Sequence, residues 1–126
     1  MQLNHTIVWS SDQAASARFL AEMLGRPAPA RFGPFHVVGL DNGVSLLFMG
    51  RVGTIQAQHH AFLVSETEFD AVMARIRERG LDHWADPYGR RSGAINTDDG
   101  GRGVYFHDPD GHDLEVMTRS YGSGHD

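Results

Sequence analysis

Tyr105-Phe106-His107-Asp108-Pro109-Asp110-Gly111-His112-Asp113-Leu114-Glu115-Val116-Met117 reads as two alternating strands joined by an Asp-Pro-Asp-Gly turn. Proline presets one turn angle and glycine accepts positive φ, so the stretch predicts a hairpin. Glu115 interrupts the apolar residues Leu114, Val116 and Met117. A carboxylate there either faces solvent or points into a site, and the rest of the chain decides which.

At 126 residues the chain is long enough for one compact core, taken as a single domain over 1–126. A formal charge of −5 leaves no basic stripe to displace counterions, which argues against a nucleic-acid partner. No apolar run approaches a membrane span and no charged-then-apolar leader opens the sequence, so the expectation is a cytoplasmic protein without a membrane partner. Cysteine is absent, which excludes disulfides, thiolate nucleophiles and sulfur-ligated metals. Metal ligands, if any, are nitrogen and oxygen. Eight histidines are many for this length, although His125 falls in a Gly/Ser tail expected to be disordered. Fifteen glycines suggest short strands and frequent turns.

In chain order, Leu3 to Trp9 is rich in β-formers, and Ser11 or Asp12 offers an N-cap. Ala15, Phe19, Leu20, Met23 and Leu24 follow at helical spacing until Gly25 and Pro27 stop the run. The stretch from Pro27 to Pro34 is turn-rich and carries only a weak signal. Strands are expected at Phe35 to Leu40 and Val44 to Met49, around Asp41-Asn42-Gly43. The pattern then restarts. Gln58 to Val64 is a strand, Ser65-Glu66-Thr67-Glu68 is a capping box, and Phe69, Val72, Met73 and Ile76 form a helical stripe ending at Gly80. Leu81 to Ala85 is a possible short strand, and Asp86 to Arg102 is a long loop of the kind that is often functional.

The restart is an internal repeat. Setting His5 on His59 lays Thr6–Asp12 on His60–Glu66, strand on strand and cap serine on cap serine. Asn42–Met49 likewise falls on Asp110–Met117. The expected fold is therefore α+β: two βαβββ modules, about 1–52 and 55–120, forming a cupped mixed sheet with helices on the outer face. Alternation puts His5, Ile7 and Trp9 on one face, and His59, Ala61 and Leu63 on the matching one. Asp113, Glu115 and Met117 share a face of the last strand. The repeat pairs His5 with His59 and Leu47 with Glu115, so two histidines and one carboxylate occupy three of four equivalent positions.

This pattern resembles the vicinal-oxygen-chelate superfamily of glyoxalase I, extradiol dioxygenases, fosfomycin-resistance enzymes and bleomycin-binding proteins. The resemblance covers nearly the whole chain. It rests on Asn4-His5-Thr6, on His59-His60-Ala61-Phe62, and on Asp108-Pro109-Asp110-Gly111-His112-Asp113-Leu114-Glu115. In metal-using relatives the first residue of the His-x-Ala-Phe tetrad is a ligand, which implies His59 rather than His60 and agrees with the strand-face reading. The implied metal set is His5, His59 and Glu115, a donor set suited to Fe, Mn, Ni, Co or Zn with open positions for substrate oxygens. Relatives of this size imply a homodimer with sites shared between chains.

Departures narrow the chemistry. Leu47 stands where bacterial glyoxalase I relatives carry a second carboxylate, so the fourth ligand and a candidate base are missing. Fosfomycin-resistance enzymes carry a pocket tyrosine that aligns with Tyr105, but a first-strand threonine where this chain has Ile7. Extradiol dioxygenases match the ligand set and usually carry further modules.

By alternation, Trp9, Phe35, Phe48 or Met49, Ala61, Tyr105, His107 and Met117 are candidates to line a substrate cup, with Asn96 or Arg102 reaching in from the long loop. Tyr105 and His107 are the acid–base candidates. The reading that follows is a metal-dependent enzyme acting on a small oxygen-chelating substrate by dioxygenase-, lyase- or transferase-type chemistry. The competing reading is a metal-free drug- or metabolite-binding protein.

Overall fold

The computed structural model describes residues 1–124; His125 lies outside the described residues. Two four-stranded mixed sheets and two helices make an α+β fold of two βαβββ modules. The chain divides into two compact units, Met1–Ala57 and the remainder from Gln58, with one module in each. No helix is long and apolar enough to cross a membrane.

Module 1 comprises β1 (His5–Ser10), α1 (Gln13–Leu24), β2 (Ala30–Phe32), β3 (Phe35–Gly39) and β4 (Ser45–Gly50). Its strand order is β1-β4-β3-β2, with β1 parallel to β4 and the other pairs antiparallel. The Asp12 carboxylate accepts the Ala15 amide at 3.1 Å and so caps α1, while Gly25 ends it at a φ of 67°. The buried face of α1 is Ser16, Ala17, Leu20, Ala21 and Met23, rotated from the expected stripe, and Ala15, Phe19 and Leu24 are only half-buried. The reason is polar: the Ser16 hydroxyl is buried against the Ser10 hydroxyl at 2.7 Å, a pairing that apolar periodicity does not register. Strand β2 is the third strand that the βαβββ plan requires of module 1, in a stretch whose residues do not mark it. It is an edge strand exposed along its whole length, so it carries no burial pattern to read.

Module 2 repeats the plan with β5 (His59–Leu63), α2 (Glu66–Glu78), β6 (His83–Trp84), β7 (Gly103–His107) and β8 (Asp113–Met117), in the order β5-β8-β7-β6. The two parallel pairs share one register. His5 stands opposite Ser45 and Ile7 opposite Leu47, and in the second module His59 stands opposite Asp113 and Ala61 opposite Glu115. The repeat read from sequence is thus a repeat of pairing as well as of pattern.

Helix α2 begins at the expected capping box. Ser65 Oγ accepts the Glu68 amide at 3.1 Å, and the Glu68 carboxylate accepts the Ser65 amide at 2.9 Å. Phe69, Val72, Met73 and Ile76 are buried, as are Phe62, Val104, Phe106, Leu114 and Val116 of the sheet. Each such side chain stabilises the fold by about 1.5–3 kcal/mol on transfer from water. The long loop has more order than its composition suggests. Asp86 accepts the Arg90 and Arg91 amides, Asn96 pairs with Gly103, and Asp98–Gly100 forms a 3-10 turn. Bonds of this kind are local and polar, so they leave no periodic trace.

The hairpin turn is pinned by Asp108, whose Oδ1 accepts the amides of Asp110 and His112 at 2.9 Å each. His112 is buried and its Nδ1 accepts the Gln58 amide at 2.9 Å, tying the turn to the start of β5. His60 lies parallel to it with ring centroids 6.5 Å apart. Burial first, then the neighbouring His112 and His59, hold the His60 pKa below its ordinary value.

Replacing Ser65 with Ala removes one half of the capping box and lowers unfolding free energy by about 1 kcal/mol in urea titration. Because the folded-state pKa of His60 lies below its unfolded value, the unfolded chain takes up a proton first as pH falls. This contribution to stability is full above the unfolded pKa of 6.5 and is lost below it. Thermal midpoints of metal-free protein therefore fall as pH drops through that value, and His60→Gln flattens the dependence; an unchanged slope would refute the assignment.

Candidate metal centre

Parallel pairing of β5 with β8 sets Ala61 beside Glu115, and the small side chain leaves room for His59 to reach across diagonally. His59 Nε2 lies 3.0 Å from Glu115 Oε1. The Glu115 side chain is 13% exposed and that of His59 46%, so the carboxylate is sunk in the sheet face and the imidazole stands at its rim. Tyr105, opposite Glu115 on β7, bonds the same carboxylate through its hydroxyl. Burial, then Glu115, push the Tyr105 phenol well above its ordinary range. Tyr105 is consequently a protonated hydrogen-bond donor toward Glu115. Its ring meets the His59 ring edge-on, with centroids 6.0 Å apart.

In module 1, His5 is exposed at the start of β1, and its Nδ1 lies 2.7 Å from Asn4 Oδ1. An Nδ1–H donated to that oxygen leaves Nε2 as the free ligating nitrogen, the usual arrangement for metal-binding imidazoles. Leu47, the counterpart of Glu115, is buried and contributes no donor. Trp9 pairs with Met49 across β1 and β4, and the Arg51 guanidinium lies over the Trp9 ring at 5.6 Å. Phe35 shares that face, since its strand neighbour Val37 stands opposite Leu47. Phe48 does not; it is buried with Val8 and Val38 on the other face.

The remaining candidates of module 2 fall on the Glu115 face: Ala61 and His107 are exposed, Met117 half-buried. Residues on this face are left accessible while their alternates Phe62, Phe106, Leu114 and Val116 are buried, so they are not core. Two loop residues behave differently from expectation. Asn96 is buried, donating to Ala85 O at 2.8 Å and accepting the Asp98 amide, and Arg102 is bound to Glu66 and Asp70 of α2. Both touch a small cavity beside Tyr105 and Glu115, but their polar groups are spent on structure.

Asp113 was placed on the Glu115 face but not as a partner of His107, and Trp84 was not singled out. His107 Nε2 lies 3.0 Å from Asp113 Oδ1, and the Trp84 ring packs on His107 at 4.9 Å. The alternation that selected Glu115 also selects Asp113, two residues earlier, and is the signal that could have found the pair.

A shared ion requires donors at the right separation. Atoms 3.0 Å apart, each about 2.1 Å from one ion, subtend about 90° at it, as adjacent positions of an octahedral or facial set do. His59 and Glu115 therefore fit a divalent metal, and an ion would displace the proton now between them. Among the described residues no three His, Cys, Asp or Glu side chains converge.

Residues 2–116 match the family model described as the Glyoxalase/Bleomycin resistance protein/Dioxygenase superfamily. Over 125 residues the chain is 31% identical to glutathione transferase FosA of Serratia marcescens, spanning 94% of this chain and 81% of that one. The structure is similar to that of oxidase ChaP-H1, with 65% identity, a TM-score of 0.95, and coverage of 97% of this chain and 98% of that one. Oxidase ChaP-H2 gives 59% identity and a TM-score of 0.96, covering 98% of each.

Proposed function

This chain is an enzyme of the glyoxalase/bleomycin resistance protein/dioxygenase superfamily, and we propose that it oxidises a small substrate that chelates a divalent metal through adjacent oxygens. The carrying observation is the 3.0 Å pairing of His59 Nε2 with Glu115 Oε1, two ligating atoms already spaced for one ion. Similarity to an oxidase at 65% identity over nearly the full length supports oxidation over group transfer. Ile7 and Leu47, apolar where other branches place polar groups, support the same choice.

His5, His59 and Glu115 would hold such an ion, and Leu47, at the position equivalent to Glu115, offers no further donor. Such an ion, Fe, Mn, Ni, Co or Zn, supplies Lewis acidity and, where redox-active, an electron path to dioxygen. The chain's own residues do the rest. Asn4 and Tyr105 orient His5 and Glu115, Trp9, Phe35 and Met49 offer an apolar aromatic surface, and Ala61 and Met117 leave room above the carboxylate. We further propose a homodimer in which His5 of one chain completes the His59–Glu115 half-site of the other.

Untagged protein binds about one equivalent of a transition metal per chain. Glu115→Gln weakens that binding by more than the about 10–100-fold typical of losing an outer partner, and His60→Ala does not. Equal effects would mean that the wrong strand face was chosen. Metal-loaded protein consumes oxygen with a catechol panel; binding of such compounds by metal-free protein with no metal uptake would instead establish the binding-protein reading. Sharing between chains is tested by mixing His5→Ala with Glu115→Gln protein under subunit exchange. A statistical mixture of dimers restores metal binding to about a quarter of the sites if they are shared, and to none if each site lies within one chain.

A further inference from the structure

The Gly/Ser tail, expected to be disordered, is built against the 3-10 turn Asp98–Gly100 as far as Gly124. It is fixed at two points. Just after β8, the Thr118 amide donates to the Arg102 carbonyl at 2.9 Å, and Thr118 Oγ1 accepts the Arg102 amide at 2.8 Å. Gly101 packs there so closely that a Cβ would lie 2.7 Å from Thr118 Oγ1. At the far end Asp99 holds the tail. Its Oδ2 accepts the Gly122 amide at 3.0 Å and its Oδ1 the Gly124 amide at 3.1 Å. Asp99 presents both oxygens from a left-handed backbone, at a φ of 57°, which aspartate tolerates better than most residues. Gly124 lies so close that a Cβ would stand 2.5 Å from the Asp99 Cα. Residues 119–124 are all exposed, Tyr121 to 91%. Burial therefore does not hold this segment down; its hold is polar, through two amide bonds to one carboxylate.

We propose that residues 118–124 are a strap, hinged at Thr118 and latched by Asp99, whose release opens the flank of Glu115. A cavity of about 30 Å³ lies between Tyr105, Glu115 and Met117 of the sheet and Arg119 and Tyr121 of the strap. That volume holds about one water and no substrate. A more open space of about 340 Å³ adjoins it, and Asp98, Asp99 and Tyr121 line both. The shared residues are the wall between the two spaces, and the latch is part of that wall. Swinging the strap about Thr118 merges them into one cleft on the scale of a ligand site, ending at the Glu115 carboxylate. Opening of this kind costs little, because it exposes no apolar core and breaks few bonds. The latch stands on this geometry alone. Its use, to admit the chelating substrate to Glu115, rests on the function proposed above.

Metal-free protein provides the test, so the outcome does not depend on the metal centre. Met117 lines the inner cavity and is half-buried, and hydrogen peroxide converts its thioether to the sulfoxide, one peroxide oxygen passing to sulfur and the other leaving as water. Two variants unlatch the strap by different routes. Gly124→Ala drives the tail off Asp99 without altering the carboxylate, and Asp99→Gly removes the carboxylate while suiting the left-handed backbone. Both oxidise Met117 several-fold faster than the wild type, read by peptide mass spectrometry, while Met49 of module 1 keeps its rate as the internal standard. Exchange of the Gly122 and Gly124 amides accelerates roughly 10- to 100-fold in Asp99→Gly, as loss of a hydrogen bond to a charged group implies. Asp99→Asn, which keeps one acceptor oxygen, falls between. Equal Met117 rates in the wild type and both variants would overturn the gate, and equal amide exchange would overturn the latch. Either result leaves metal binding at His59 and Glu115 to stand or fall on its own test.

Discussion

Parallel pairing of β5 with β8 in one register is the constraint on which the site depends. It places Ala61 opposite Glu115 and so lets His59 reach the carboxylate at 3.0 Å. A slip of one residue would turn Glu115 toward the buried side and carry Leu114 out to the accessible one. The register is held where a slip would be costly. Phe62, Val116 and Leu114 are buried on one face, and the Gln58 amide is bound by the buried His112. A polar bond at the strand's start and apolar burial along its length act on the same alignment.

Repetition explains both the likeness and the difference of the modules. Equal pairing in β1–β4 and β5–β8 makes His5 and His59 equivalent, and likewise Leu47 and Glu115. Side-chain chemistry then separates them. Leu47 is buried and serves as packing, whereas the nearly buried Glu115 carboxylate is bonded by Tyr105 and lies beside His59. One scaffold thus offers a donor in module 2 where it offers only an apolar contact in module 1.

Most of the elements could be read from local chemistry. The Asp12 and Ser65 caps, the Gly25 stop and the Asp-Pro-Asp-Gly turn act over three or four residues, and a sequence displays such signals directly. Strand β2 and the order within 86–102 were not readable. The first is exposed along its length, and the second is built from single side-chain bonds without a period. Serine burial in α1 escaped for a related reason: Ser16 is inside only because Ser10 is there to meet it.

Of the candidate site, the sequence by itself determined which residues share a face, because strand alternation is a property of the chain alone. It thereby singled out His59, Glu115, Tyr105 and His107, and through the repeat it linked His5 to His59. Only the tertiary structure decided what those side chains do to one another. Tyr105 proved to be a donor to Glu115, Arg102 was drawn off to α2, and Asp113 was joined to His107. These are diagonal and cross-strand contacts, set by side-chain reach and burial after the sheet has formed. No spacing along the chain encodes them.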